Sequence, residues 1–232
     1  MELKDKIVTS YVAFEDKVDT NSAIHDIRTE ALENFEKLGF PTKKLEAWKY
    51  TSLNNVLKND FSLFPNKDVA VELADVKKYF IHDIDTYNVV FIDGKYSSFL
   101  SETTHDTIDV CLMSSALSKP KYKAVIDKYF NKVAKQDNLT SLNTAFASEG
   151  AYIHIPKNVE VKKPIQIINF TTGSEVAVMT QPRNLIVVDE NAHVQIIERH
   201  QSLTSNAVLS NVVTEIFSAK SSTVDVYKIQ ND

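Results

Sequence analysis

The chain has 232 residues, 43% of them hydrophobic and 25% charged, the balance of an ordinary globular protein with material for one large domain or two modest ones. Twenty-six basic residues against 31 acidic ones give a net charge of -5 without a dense Lys/Arg stripe, which argues against a nucleic-acid partner. A single cysteine, Cys111, excludes an intramolecular disulfide and a multi-cysteine metal site built by this chain alone, and it points to a reducing, cytoplasmic setting.

The first 40 residues read as helical. From Ile24 the apolar positions Ile24, Ile27, Ala31, Phe35 and Leu38 fall three and four apart, one stripe of a helix. Thr20, Asn21 and Ser22 offer N-cap oxygens, and Gly39 followed by Pro41 is a stop signal. Val69–Phe80 is a candidate short helix. Asn88–Ile92 reads as a strand, with Asp93-Gly94 as a hairpin turn into Lys95–Leu100. After Pro120 a further helix is expected, its stripe made by Tyr122, Val125, Ile126, Tyr129, Phe130 and Val133. No apolar run approaches the roughly 20 residues of a membrane span, so no membrane partner is expected, and Met1–Lys6 lack the apolar core of a signal peptide.

Beyond Gly150 the texture changes to β-branched residues in alternation: Ile153, Ile155, Val159, Val161, then Ile186, Val188, Val194 and Ile196. Residues 1–150 are therefore expected to form a mainly helical region with a small β element, and 151–232 a β core. Three turn-then-strand units, Lys157–Val161, Asn191–Ile196 and Ser221–Val226, recur about 30 residues apart, as in stacked coils. A β-sandwich is the alternative.

Residues Gly39–Leu53, GFPTKKLEAWKYTSL, carry the most distinctive motif. They resemble the G-x-P-T-x-K-x-E-x-W-K-Y-T-x-L stretch of SufD-like proteins, in the SufB/SufD family of the Suf iron–sulfur cluster assembly machinery. Phe91–Tyr96, Leu142–Ala147 and Lys163–Ile167 resemble further segments of that family, in the same order. The resemblance implies an α+β N-terminal helical region followed by an all-β right-handed parallel β-helix, here truncated. It also implies a SufB-like paralogue and a SufC-like ATPase as partners. No cofactor is expected on this stretch alone; an iron–sulfur cluster or a flavin would belong to the full complex. Family members are usually much longer, so the chain reads as an N-terminal portion, and self-association through its open C-terminal end is an expectation.

Two groups of side chains merit attention as sites. Glu46, Trp48, Lys49 and Tyr50 combine anchor-type aromatics with charges and suit partner docking; packing of the helical region is the simpler alternative. Glu198 and His200 share the parity of Val194 and Ile196, so an unbroken strand aims them inward as an interior polar pair, which is costly unless paired. A bulge that turns both to solvent is the alternative. His25, His82, His105, His154 and His193 have no ligand spacing among themselves or with Cys111, whose apolar surroundings mark it as a core residue. No Walker A loop, Rossmann fingerprint or nucleophile elbow occurs. The expected function is a non-catalytic scaffold subunit of a SufB–SufC–SufD complex. The alternative is a carbohydrate-active β-helix enzyme, which would need clustered carboxylates and exposed aromatics that this half of the chain does not offer.

Overall fold

The computed structural model describes residues 2–18, 24–63, 71–81, 83–102, 105, 107–173 and 177–231. Helix α1 (Leu3–Glu15) buries Ile7, Tyr11 and Phe14 at helical spacing, and α2 (His25–Leu38) buries Arg28, Ala31 and Phe35. The expected stop is used: Gly39 sits at φ +62°, and its N–H closes on the Phe35 carbonyl at 2.7 Å. The expected N-cap residues Thr20, Asn21 and Ser22 lie outside the described residues. Of the candidate helix 69–80, residues 69 and 70 also lie outside them; α3 (Leu73–Val76) and a 3-10 turn over Lys77–Tyr79 occupy the rest.

Strand β1 (Tyr87–Ile92) turns through Asp93 (φ +47°) and Gly94 (φ +78°), the paired positive φ of a type I′ hairpin, into β2 (Lys95–Tyr96). The second strand is shorter than the expected Lys95–Leu100. After the Ser97 N–H reaches the Val90 carbonyl, the next contact with β1 comes from the Ser101 hydroxyl, which accepts from the Val90 N–H. Then come β3 (Asp109–Leu112), α4 (Met113–Ser118), α5 (Lys123–Tyr129) and α6 (Asn138–Ala145). Tyr122, Ile126 and Phe130 are buried as the helical stripe requires, but the helix stops at Tyr129 and leaves Val133 exposed. The backbone N–H groups of Asn131, Val133 and Ala134 are taken instead by the Glu215 carboxylate. A side chain 81 to 84 residues away thus outcompetes the next helical turn.

The remaining strands are β4 (Ala151–Ile155), β5 (Ile165–Thr171), β6 (Val178–Thr180), β7 (Arg183–Val188), β8 (His193–Ser202), β9 (Val208–Ser210), β10 (Val213–Ser218) and β11 (Thr223–Asn231). They do not form the expected all-β right-handed parallel β-helix. The sheets are open and the two larger ones mixed, in the orders β11-β8-β5-β1-β2, β10-β7-β4-β3 and β6-β9. The pairs β1–β2 and β3–β4 are antiparallel, and the other pairs are parallel. The physical reason lies in β1. Val89, Val90 and Phe91 are all fully buried, so both faces of this strand need cover, the signature of a strand inside a sheet. Its faces are covered by the main core, around Val89 and Phe91, and by Val76 and Leu100, around Val90, while its edge pairs with β5, Val89 opposite Ile167, and β3 pairs with β4. The fold is α+β, and its sheets draw strands from both halves of the chain.

The main core combines Val89, Phe91 and Val110 with Ile153, Ile167, Ile186, Val194 and Ile196 from the two larger sheets. A second cluster joins Ile7, Tyr11, Phe14 and Phe35 to Leu142 and Phe146 of the α6 region and to Met179 of β6. A third packs α4 and α5 on the outward side chains Tyr152, Leu185 and Val187. Among the described residues, no helix is long and apolar enough to cross a membrane.

Candidate functional site

Strand β8 runs without interruption over ten residues, so the face that buries Val194 and Ile196 continues through Glu198 and His200. Both side chains are buried, and His200 Nε2 lies 2.6 Å from Glu198 Oε1. Lys228 Nζ, reaching across from β11, is 3.0 Å from the same oxygen. The Thr214 hydroxyl of β10 donates to Glu198 Oε2 at 3.1 Å and accepts from the Asn184 amide of β7. Burial alone would raise the Glu198 carboxyl; the hydrogen bonds and charges of His200 and Lys228 more than offset it and hold the group at about 2. Glu198 is therefore a fixed anion that ties β8 to β10 and β11, not a proton donor near neutral pH. Asn169, opposite His200 on β5, is buried with neither amide atom on a protein partner.

A second buried network escaped the sequence reading. Arg183, fully buried at the start of β7, places Nη2 2.7 Å from Glu215 Oε2 of β10. Its guanidinium also donates to Asn143, Thr144 and Asn131 and lies 5.0 Å from the Phe130 ring centre. Desolvation pulls the Arg183 pKa down, and Glu215 opposes that pull. The network clamps α6 and the loop after α5 onto the sheet. The available signal was Glu215 between Thr214 and Ile216 in an alternating strand; nothing local identified Arg183 as its partner.

The 46–50 motif lies on the surface. Glu46–Trp48 form a 3-10 turn with no buried residue, Lys49 pairs with Glu46, and the Lys49 ammonium sits 5.1 Å from the ring centre of Tyr50, which is 89% exposed. Glu46, Lys49 and Tyr50 thus meet locally, with Trp48 half-buried beside them. The histidines are engaged separately: His25 with Glu15, His154 with Asp189, His193 with Asp225, and His105 against the Tyr87 ring. His82 lies outside the described residues. Cys111 is half-buried, and burial pushes its thiol up. Among the described residues, no group of three His, Cys, Asp or Glu side chains could hold a metal ion.

Comparison with known proteins places this architecture. Residues 1–167 match the SufBD protein N-terminal region, and residues 169–232 match the SufBD core domain of SUF-system FeS cluster assembly. The chain belongs to the SufBD family. An iron–sulfur cluster assembly SufBD family protein of Synechocystis sp. is 26% identical over 91% of the chain and 48% of its own length. The SufD of Bacillus subtilis is 22% identical over 94% of the chain and 51% of its own length, and that of Escherichia coli is 23% identical over 74% and 38%. The chain therefore spans about half the length of the Synechocystis and Bacillus subtilis relatives.

Proposed function

We propose that the chain acts in iron–sulfur cluster assembly as a non-catalytic scaffold in a SufB–SufC–SufD type complex. The observation that carries this reading is the pair of SufBD family matches that together span almost the whole chain, with relatives named SufD. Two structural features support it. Two buried charged groups hold strands together, Glu198 with Lys228 of β11 and Arg183 with Glu215. With one cysteine in the chain, the cluster is cargo handled with partners, not a group this chain ligates alone. The exposed Glu46–Tyr50 turn, with an aromatic held out to solvent, is the contact we assign to a partner.

The test is co-expression with a SufB-type and a SufC-type protein, followed by size-exclusion chromatography and by aconitase activity in cells lacking the SufBD-type subunit. A co-eluting complex and restored aconitase are expected, with Trp48→Ala and Tyr50→Ala weakening co-elution while the protein stays folded. A chain that elutes alone and restores nothing would overturn the reading.

A further inference from the structure

A cavity of about 360 Å³ opens between α1, α2, α4, the β1–β2 turn and the segment leading into β4. Its size lies in the range of small-molecule sites. The walls are apolar and partly aromatic, from Phe14, Leu117, Phe146 and Met179. Two polar side chains line it with unsatisfied atoms. Glu149 Oε2 is buried without a hydrogen-bond partner, and so is Gln181 Nε2. The Gln181 amide is oriented by its own oxygen, which accepts from Asn211 at 2.7 Å. Buried polar atoms are nearly always satisfied, so two such atoms in one apolar cavity call for a ligand that supplies partners to both.

The backbone holds Glu149 in place. Its carbonyl accepts the Arg183 N–H at 2.8 Å, and Gly150 follows at φ +135°, where a Cβ would lie 2.1 Å from the Arg183 carbonyl oxygen. Only glycine fits there. The other charged groups facing the cavity are Lys17 of the α1 end, Arg28 of α2, and Asp93 and Lys95 of the β1–β2 turn. Asp93 is committed to the Thr172 N–H and hydroxyl.

We propose that this cavity binds a small organic anion with an apolar body, of the monocarboxylate class. The ligand carboxylate accepts from the Gln181 amide N–H and from the Glu149 O–H, while its apolar body lies against Phe14, Phe146, Leu117 and Met179. Burial pushes the Glu149 carboxyl up to about 7, against a smaller opposing pull from Lys95, so the protonated donor form is populated near neutral pH. An organic ammonium ion would need the ionised carboxylate and has no lone pair to accept from the Gln181 amide N–H.

The test is titration calorimetry with octanoate and, as the charge control, octylammonium, on the wild type, Glu149→Gln and the mouth-plugging Ser118→Trp, each checked for folding by thermal melting. Octanoate is expected to bind at least about tenfold more tightly than octylammonium. If only the protonated form binds, its affinity rises about tenfold from pH 8 to pH 6. Glu149→Gln, which donates at any pH, should bind octanoate equally at both, and Ser118→Trp should weaken binding at least about tenfold. Equal binding of the two probes, no octanoate binding by folded protein, or binding untouched by Ser118→Trp overturns the assignment. If Glu149→Gln fails to fold, the probe comparison and Ser118→Trp still decide.

Discussion

Removing the Glu215 carboxylate is the sharpest test of what holds the helical region to the sheets. In Glu215→Ala the Arg183 guanidinium, fully buried, loses its only carboxylate partner among the described residues, and the N–H groups of Asn131, Val133 and Ala134 lose their acceptor. Breaking a buried ion pair by deleting one partner costs about 3–5 kcal/mol, because the remaining charge stays desolvated. The three N–H groups add about 1 kcal/mol in all, since their loop can turn to water and recover most of the loss. With unfolding entropy near 2.1 cal/mol/K per residue, a chain of 232 residues loses about 2 °C of Tm per kcal/mol. The expected fall is roughly 8–12 °C by circular dichroism, with a matching fall in the urea midpoint. The control is Arg183→Met with Glu215→Leu, which removes both charges and should recover most of the loss. A fall below about 2 °C for Glu215→Ala, or a double variant worse than the single one, would refute the reasoning.

Glu198 is depressed in the folded state, so its stabilisation is present above the unfolded carboxyl pKa and disappears as pH falls toward about 2. Glu198→Gln should therefore cost roughly 3 kcal/mol at pH 7 in urea titrations, with the gap closing between about pH 4.5 and 2; a constant gap across that window contradicts the charge-based account. Glu149 carries the opposite sign. Raised to about 7, it leaves stability intact below the unfolded pKa and removes it as pH climbs through 7. Glu149→Gln should match the wild type at pH 4 and exceed it by roughly 3 kcal/mol at pH 8, and a variant weaker at pH 8 defeats this sign. Trp48→Ala should lose less than about 1.5 kcal/mol, well short of the cost of a fully buried aromatic, because its turn buries no side chain. A melting loss equivalent to more than about 3 kcal/mol would mean the indole is a core residue.

What could be read in the sequence follows from the range of the forces involved. The stripe Ile24, Ala31 and Phe35, the stop at Gly39 and the Asp93-Gly94 turn rest on local sterics and periodicity, and the structure uses each of them. The alternation that aims Val194 and Ile196 inward also carries Glu198 and His200 to the interior, but Lys228, a strand away, could not be assigned to them in advance. The shortened α5 and the capture of its following loop by Glu215 depend on a contact more than 80 residues long in sequence, which no window of local pattern contains. The fold class went astray for a related reason. Alternation after Ala151 says that a face is buried, not which strands lie beside it. The places beside β4 and β5 are taken by β3 and β1 from much earlier in the chain.

The register of the sheets also sets an order of assembly. Val194 pairs with Val224 and Ile186 with Ile216, each across 30 residues, whereas Tyr87 must find Ile165 across 78. Closing the longer loop costs about 0.8 kcal/mol more chain entropy, before counting the helices that must be threaded out of its way. The β8–β11 and β7–β10 pairs should therefore form early and offer an edge on which β5 and then β1 dock. Pulse-labelled hydrogen exchange during refolding would record this as protection of the Val226 and Ile216 amides ahead of those of Val89 and Phe91. Simultaneous protection would mean that the long-range strand belongs to the nucleus itself.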